Sequence, residues 1–198
     1  MQKIEGGVTA AKGFEAAAAA AGIKYQDRTD MALIYSEKPC KVAGTFTTNV
    51  VKAAPVKWDR NVVDSGMKSQ AVIVNSGIAN ACTGEEGMSY CKETAKEAAQ
   101  VLGVDARSVL VGSTGVIGMQ LPMDRVKEGI RKLAEAKKPD LESGTQAAQA
   151  IMTTDTKKKE VAVTVEIGDV TVTIGGMAKG SGMIHPNMCT MLAFITTD

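Results

Sequence analysis

The stretch EVAVTVEIGDVTVTIGGMAKGSGMIHPNMCTMLAF, residues 160–194, decides how the fold is read. Residues 160–167 and 170–174 alternate strictly around Gly168-Asp169, the pattern of two strands joined by a tight turn. That hairpin runs into Gly175-Gly176 and the loop KGSGMIHPNMCTMLAF (179–194), where glycines at 176, 180 and 182 bracket Lys179. The turn signal His185-Pro186-Asn187 follows, and Thr190 then opens an apolar run, 191–195. A hydroxyl at the entrance to a buried strand is costly unless it finds partners. Two readings of Thr190 stand open. It is an ordinary β-branched residue bonded to nearby backbone, or it is a nucleophile. Threonine is a useful nucleophile chiefly when its own α-amine serves as the base. The second reading therefore requires a backbone cut between Cys189 and Thr190.

Upstream of the hairpin, the pattern mixes strands and helices. Residues 108–112 (SVLVG) form a strand that delivers Ser113-Thr114-Gly115 at its end. Pro122 suits the first turn of a helix whose buried stripe is Val126, Ile130 and Leu133, and Lys137-Lys138-Pro139 stops it. A weaker helix over 141–152 runs into Thr153-Thr154-Asp155, and Lys157-Lys158-Lys159 reads as a solvated turn. Residues 70–75 (QAVIVN) form a short apolar strand ending in Ser76-Gly77, a common setting for binding loops. Thr83 and Glu86 suggest a capping box for a helix that places Cys91, Ala95, Ala98 and Leu102 on one face and closes at Gly103. On that face Cys91 reads as a small core residue rather than a reactive thiol.

Nearer the N-terminus, 31–35 and 42–51 read as adjacent strands separated by a Lys38-Pro39 break, with 44–49 half-buried. Six alanines at 16–21 argue by propensity for a helix, although Gly13 and Gly22 flank them and no amphipathic pattern supports it. No repeat or low-complexity linker divides the chain. Hairpins beside separate helices fit an α+β layered sandwich, with mixed sheets and packed helices, better than a doubly wound sheet.

Composition excludes several classes. With 198 residues the chain can bury a real core. Lys+Arg 23 against Asp+Glu 22 gives no electrostatic case for nucleic acid or an anionic membrane. The cysteines at 40, 82, 91 and 189 form no C-x-x-C pair and accompany a single histidine, which argues against a metal site and for a reducing compartment. No apolar run approaches the roughly 20 residues of a membrane span, and MQKIEGG lacks the h-region of a signal peptide. The expectation is a cytoplasmic protein.

Four groups come to strand ends or glycine-rich loops: Thr114-Gly115, Thr153-Thr154-Asp155, Lys179 and Thr190. A threonine hydroxyl beside a glycine amide supplies two neutral donors suited to a developing oxyanion, or it is a simple turn. Lys179 can hold a substrate carboxylate, or stand exposed. GGMAKGSG lacks the spacing of a P-loop, and His185 before a proline reads as structural.

KGSGMIHPNMCTML resembles the self-cleaving junction of the ornithine acetyltransferase (glutamate N-acetyltransferase) family of arginine biosynthesis. That junction has a KGxGM loop, a proline, and a threonine followed by Met-Leu. The likeness extends through GGVTAAKGF at 6–14, NSGIANACTG at 75–84, GSTGVIG at 112–118 and MTTDT at 152–156. Two positions depart from the pattern: Cys189 replaces the usual alanine, and Ile78 stands where asparagine is expected. Family precursors also continue for about as many residues again, whereas this sequence stops at Asp198.

The resemblance implies the following expectations. Residues 1–189 are the α segment, and 190–198 begin the β segment. Thr190 is the nucleophile, the cut falls between Cys189 and Thr190, and Thr114 with Gly115 forms the oxyanion hole. Thr153 (or Thr154, if the alignment slips by one) and Lys179 contact substrate. The reaction moves acetyl from N-acetylornithine to glutamate through acetyl-Thr190. No metal or bound cofactor is implied, and acetyl-CoA is a second donor that some members accept. The implied assembly is an α2β2 heterotetramer built with the β segment, and the 16–21 stretch is an extended or irregular entry segment. A threonine-nucleophile aminopeptidase, or a non-catalytic half-chain that needs a partner, are the alternatives.

Overall fold

The computed structural model describes residues 1–180 and 191–198. Eight strands and four helices are seen among these residues, arranged as two four-stranded sheets with helices packed on them. The expected α+β layered sandwich is the observed architecture.

The first sheet has the order β2-β3-β4-β5. It comprises β2 (Phe14–Ala19), β3 (Met31–Cys40), β4 (Ser69–Ile78) and β5 (Val109–Val116). Its β2, β3 and β4 are antiparallel, while β5 runs parallel to β4. Alternate residues serve opposite faces. Ala17, Ala19, Met31, Leu33, Ile73, Val109 and Val111 pack against Cys91, Ala95 and Ala98 of α2 (Gly84–Leu102) and Val126, Ile130 and Leu133 of α3 (Met123–Ala136). On the other face Ala16, Ala32, Ile34 and Val74 meet Ala147, Ala148 and Ala150 of α4 (Leu141–Ala150), and Met177 of the second sheet. That second sheet is wholly antiparallel in the order β1-β6-β7-β8: β1 (Gln2–Ile4), β6 (Lys159–Ile167), β7 (Val170–Lys179) and β8 (Leu192–Thr197).

Several expectations change. The alanine run is a strand, not a helix: β2 is covered on both faces, and alanine is small enough to let both layers close on it. Packing on a doubly buried strand outweighs helix propensity of a few tenths of a kcal/mol per residue. Lys38-Pro39 does not break β3. It sits where the pairing shifts register between Tyr35 and Cys40, a bulge of the kind that tolerates proline. Residues 42–51 form no strand. Parts of both edges of this sheet are already occupied: Lys138 bridges Ala16 on the β2 side, and the side chains of Trp58 and Asp59 bond β5. Thr83 does not form a capping box, since its hydroxyl donates to Asn80 Oδ1 at 2.8 Å while Glu86 accepts from Tyr90. The strand expected to end at Gly112 continues to Val116, because pairing with β4 persists through Gly77↔Gly115 and Ile78↔Val116.

The helix α1 (Ala54–Asp64) has no counterpart in the sequence reading. It completes the β5 edge with side chains instead of a strand. Trp58 Nε1 donates to the Val109 carbonyl at 2.9 Å, and Asp59 Oδ1 accepts from the Val111 N–H at 2.9 Å. Two ladder groups that would otherwise stand unpaired are satisfied. Among the described residues no helix is long and apolar enough to cross a membrane.

Burial raises the Asp59 carboxyl to about 7, against the lowering effect of the Val111 N–H. Between the ordinary carboxylate range and that value, the folded state keeps a proton that the unfolded chain releases. Stability therefore falls as pH rises through this window. Asp59→Asn keeps an acceptor for Val111 and cannot ionise, so it is expected to be more stable than the parent at pH 8, with the advantage shrinking toward pH 5. Denaturant unfolding at the two pH values checks this, and curves of equal pH dependence would refute the assignment.

Candidate active site

The parallel pair β4–β5 ends in two facing glycines, Gly77 and Gly115, with φ of 110° and 133°. Both values lie in the region that side chains avoid. At Gly115 a β-carbon would also collide with the Gly77 carbonyl. The pair therefore leaves bare backbone beside Thr114, whose side chain is buried at 5% exposure.

Two other chain segments converge on that hydroxyl. The α4–β6 connection brings Thr153 and Asp155, and the end of β7 brings Lys179, which is only 2% exposed. Lys179 Nζ donates to Thr153 Oγ1 at 2.9 Å and Thr114 Oγ1 at 3.2 Å, and lies 3.8 Å from Asp155 Oδ2. Lysine has only donors, so both threonine oxygens accept here. Each hydroxyl keeps its own proton to give elsewhere.

Asp155 is fully engaged. Oδ1 accepts from Lys159 Nζ at 2.7 Å and from the Gly180 N–H at 2.8 Å, and Oδ2 accepts from the Thr153 N–H at 3.3 Å. Burial alone would raise its pKa. The bonds from Lys159, Gly180 and Thr153, with the charge of Lys179, reverse that and hold it at about 2. Lys179 is shifted below the ordinary lysine range by burial, with Asp155 opposing and Lys159 adding a further lowering.

The walls of the site are braced by buried polar contacts. Ser76 Oγ donates to the Ala150 carbonyl at 2.7 Å, and Arg28 Nη2 to the Met152 carbonyl at 2.6 Å, which fixes the segment leading to Thr153. Ser113 Oγ donates to Asn75 Oδ1 at 2.7 Å, locking β5 to β4 one residue before Thr114.

Of the residues expected from sequence, Thr114, Thr153 and Lys179 are brought together, and Gly115 adjoins them. Lys179 takes Thr153 and not Thr154. Thr190, Cys189 and His185 lie outside the described residues. The register places Leu192, two residues after Thr190 in sequence, opposite Lys179. The sequence reading gave no role to Asp155, Ser76 or Arg28. For Asp155 the signal was present, an acid two residues after a candidate contact. Ser76 and Arg28 bond main-chain carbonyls far along the chain, which no local pattern reveals. A cavity of about 210 Å³ lies at the opposite end of β4 and β5, between Phe14, Ile34, Val72 and Phe194, and shares no residue with this cluster.

Comparison with known proteins identifies relatives of the chain. The ArgJ family model matches residues 15–198. The arginine biosynthesis bifunctional protein ArgJ of Symbiobacterium thermophilum is 56% identical over 200 residues, covering 100% of this chain and 49% of the relative. That of Gloeobacter violaceus is 53% identical over 196 residues, covering 98% and 48%. The chain thus spans about half the length of the curated relatives it matches. Among solved structures, the argJ protein of Bacillus halodurans superposes with a TM-score of 0.88 at 44% identity, covering 94% of this chain and 97% of that one. Ornithine acetyltransferase of Mycobacterium tuberculosis, solved in complex with ornithine, gives 0.85 at 44% identity, covering 94% and 96%. This chain belongs to the ArgJ family.

Proposed function

We propose that the full-length protein serves arginine biosynthesis by moving acetyl from N-acetylornithine to glutamate through an acetyl-Thr190 ester, formed after the chain cleaves itself between Cys189 and Thr190. The observation that carries this reading is the convergence of Lys179 on Thr114 and Thr153, at 3.2 and 2.9 Å, beside the bare backbone of Gly115. Membership of the ArgJ family supports a role in arginine biosynthesis.

In the first stage the Thr190 hydroxyl attacks the Cys189 carbonyl carbon. The acyl group moves from nitrogen to oxygen, and water then hydrolyses the ester. The products are a carboxylate on Cys189 and a free α-amine on Thr190. In the second stage that amine takes the proton from its own hydroxyl as the oxygen attacks the acetyl carbon of N-acetylornithine. Negative charge gathers on the acetyl oxygen, where the Thr114 hydroxyl and the Gly115 amide are the donors. The proton passes to the departing ornithine amine. The neutral amine of glutamate then attacks the ester carbonyl, and the bond to Thr190 Oγ breaks. The α-amine relays the proton lost by the glutamate nitrogen to that oxygen, releasing N-acetylglutamate and restoring the hydroxyl. Lys179, with its donors on Thr114 and Thr153, sets the direction of the Thr114 proton.

A second segment is part of this reading. The outer face of the sheet formed by β1, β6, β7 and β8 exposes Val161, Ile167, Val170, Ile174 and Ile195, the last at 74%. A contiguous apolar face of this kind is typical of an interaction surface. It supports a partner layer made by the β segment that follows 189, in an α2β2 assembly.

Two predictions test the proposal. Thr190→Ala is expected to leave the full-length chain uncut and Thr190→Ser to be cut, as read by intact mass. Efficient cleavage of the alanine variant would remove the nucleophile assignment. Thr114→Ala, once confirmed as cleaved, is expected to lose roughly 10²–10³ in turnover with little change in KM, since the donor acts only as charge develops. Turnover of acetyl transfer from N-acetylornithine to glutamate within about twofold of the parent would reduce Ser113-Thr114-Gly115 to a structural strand end.

A further inference from the structure

We propose that Asp155 is a positioning residue for this site: its carboxylate holds the Lys179 ammonium against Thr114 and Thr153, and through the Gly180 N–H it fixes the point where the chain leaves β7. The inference rests on the acetyl-transfer reading above and deepens it. Its physical basis is the division of labour around one buried ammonium. At 3.8 Å, Asp155 Oδ2 is too far from Lys179 Nζ for a good hydrogen bond. It compensates the charge and leaves the Lys179 donors on the two threonines. A carboxylate in direct contact would win those donors, because charge-assisted bonds are the stronger ones. The Thr114 oxygen would then lose the contact that leaves its proton for a substrate.

What keeps the carboxylate back is its own engagement. Lys159 Nζ and the Gly180 N–H share Oδ1, and the Thr153 N–H takes Oδ2. Its side chain is 1% exposed, so bulk solvent does not reach it. Three chain segments are thereby tied to one carboxylate: the α4–β6 connection through Thr153, β6 through Lys159, and the end of β7 through Lys179 and Gly180. Among the described residues the charged groups facing Lys179 are Asp155 and Lys159, of opposite sign, and the neutral ones are Thr114 on β5 and Thr153.

Opposite signs give the test its direction. Asp155→Asn is nearly isosteric and removes the one charge that favours protonated Lys179. Lys159→Gln removes the charge that disfavours it. The experiment uses the full-length, cleaved protein and two readouts: the pH profile of acetyl transfer, and the titration of the Lys179 ε-carbon resonance in protein labelled at lysine. Asp155→Asn is expected to lower kcat on the order of 10–100-fold with KM within about threefold. It should also move the Lys179 titration, and the alkaline limb of the profile, to lower pH. Lys159→Gln should move both to higher pH. A merely structural aspartate would reduce yield and rate without opposite displacements in the two variants. An Asp155→Asn protein with turnover within twofold of the parent and an unmoved titration overturns the proposal. If that variant does not fold, an unmoved titration in Lys159→Gln overturns it equally. Should the parent itself transfer no acetyl, the functional reading fails on its own. The lysine titration then decides alone, a shift in Asp155→Asn supporting the positioning contact and its absence refuting it.

Discussion

An ammonium group at 2% exposure governs the architecture around it. Taking Lys179 out of water is costly unless its donors find acceptors and the charge finds a counter-charge. No single segment of this chain supplies all of these partners. The hydroxyls come from the end of β5 and the α4–β6 connection, and the carboxylate from the same connection two residues on. The two sheets must therefore meet with the ends of β5 and β7 together, and α4 must stop where it does. The core clusters on either side of the first sheet make that approach close enough. Ala16, Ala32, Ala147 and Ala148 are small, and they let β2, β3 and α4 pack tightly.

The position of Thr114 is fixed by restraints on both sides of β5. On one side β4 pairs in parallel register from Ala71↔Val109 to Ile78↔Val116. On the other, Trp58 and Asp59 bond the Val109 carbonyl and the Val111 amide. An edge strand is normally free to fray or to accept another chain. Here the edge is occupied by side chains from α1, and the strand that carries the candidate oxyanion donor is held along its length. Small displacements matter for such a donor, since its value depends on meeting charge at about hydrogen-bond distance.

What the sequence made legible follows from the range of each interaction. Strict alternation over 160–174 identified the β6–β7 hairpin, and the 4-3-4 spacing of Cys91, Ala95, Ala98 and Leu102 identified the buried face of α2. These are local periodicities. The alanines at 16–21 misled because their conformation is decided by layers distant in sequence, not by intrinsic propensity. Residues 42–51 misled because a β-rich composition makes no strand unless another strand pairs with it. Helix α1 went unread although Pro55 marks its first turn, because its main work is done by Trp58 and Asp59 against a strand some 50 residues later. In the site, Thr114, Thr153 and Lys179 were identified from strand ends and family motifs. Their meeting was not visible, with 65 residues separating Lys179 from Thr114. The part played by Asp155 depends on Lys179 and Gly180, the latter 25 residues away, which only folding brings to it.

The hairpin also separates two properties by parity alone. Cross-strand partners share a face, so Val161, Gly176 and Ile195 lie together, as do Ile167 and Val170. This face is apolar and turned to solvent. The opposite parity carries Ala162, Met177 and Lys179 inward, toward the first sheet. A one-residue slip in the β6–β7 register would exchange the two sets. It would expose the ammonium and bury the branched side chains in its place. The glycine at 175 belongs to the same constraint. A β-carbon there would strike the Gly7 carbonyl. The strand is thus held close on its inner side just before it delivers Lys179. The apolar surface and the candidate catalytic cluster are built from one pair of strands, yet they face in opposite directions. A layer placed on the outer face would leave the ammonium and its two threonines untouched.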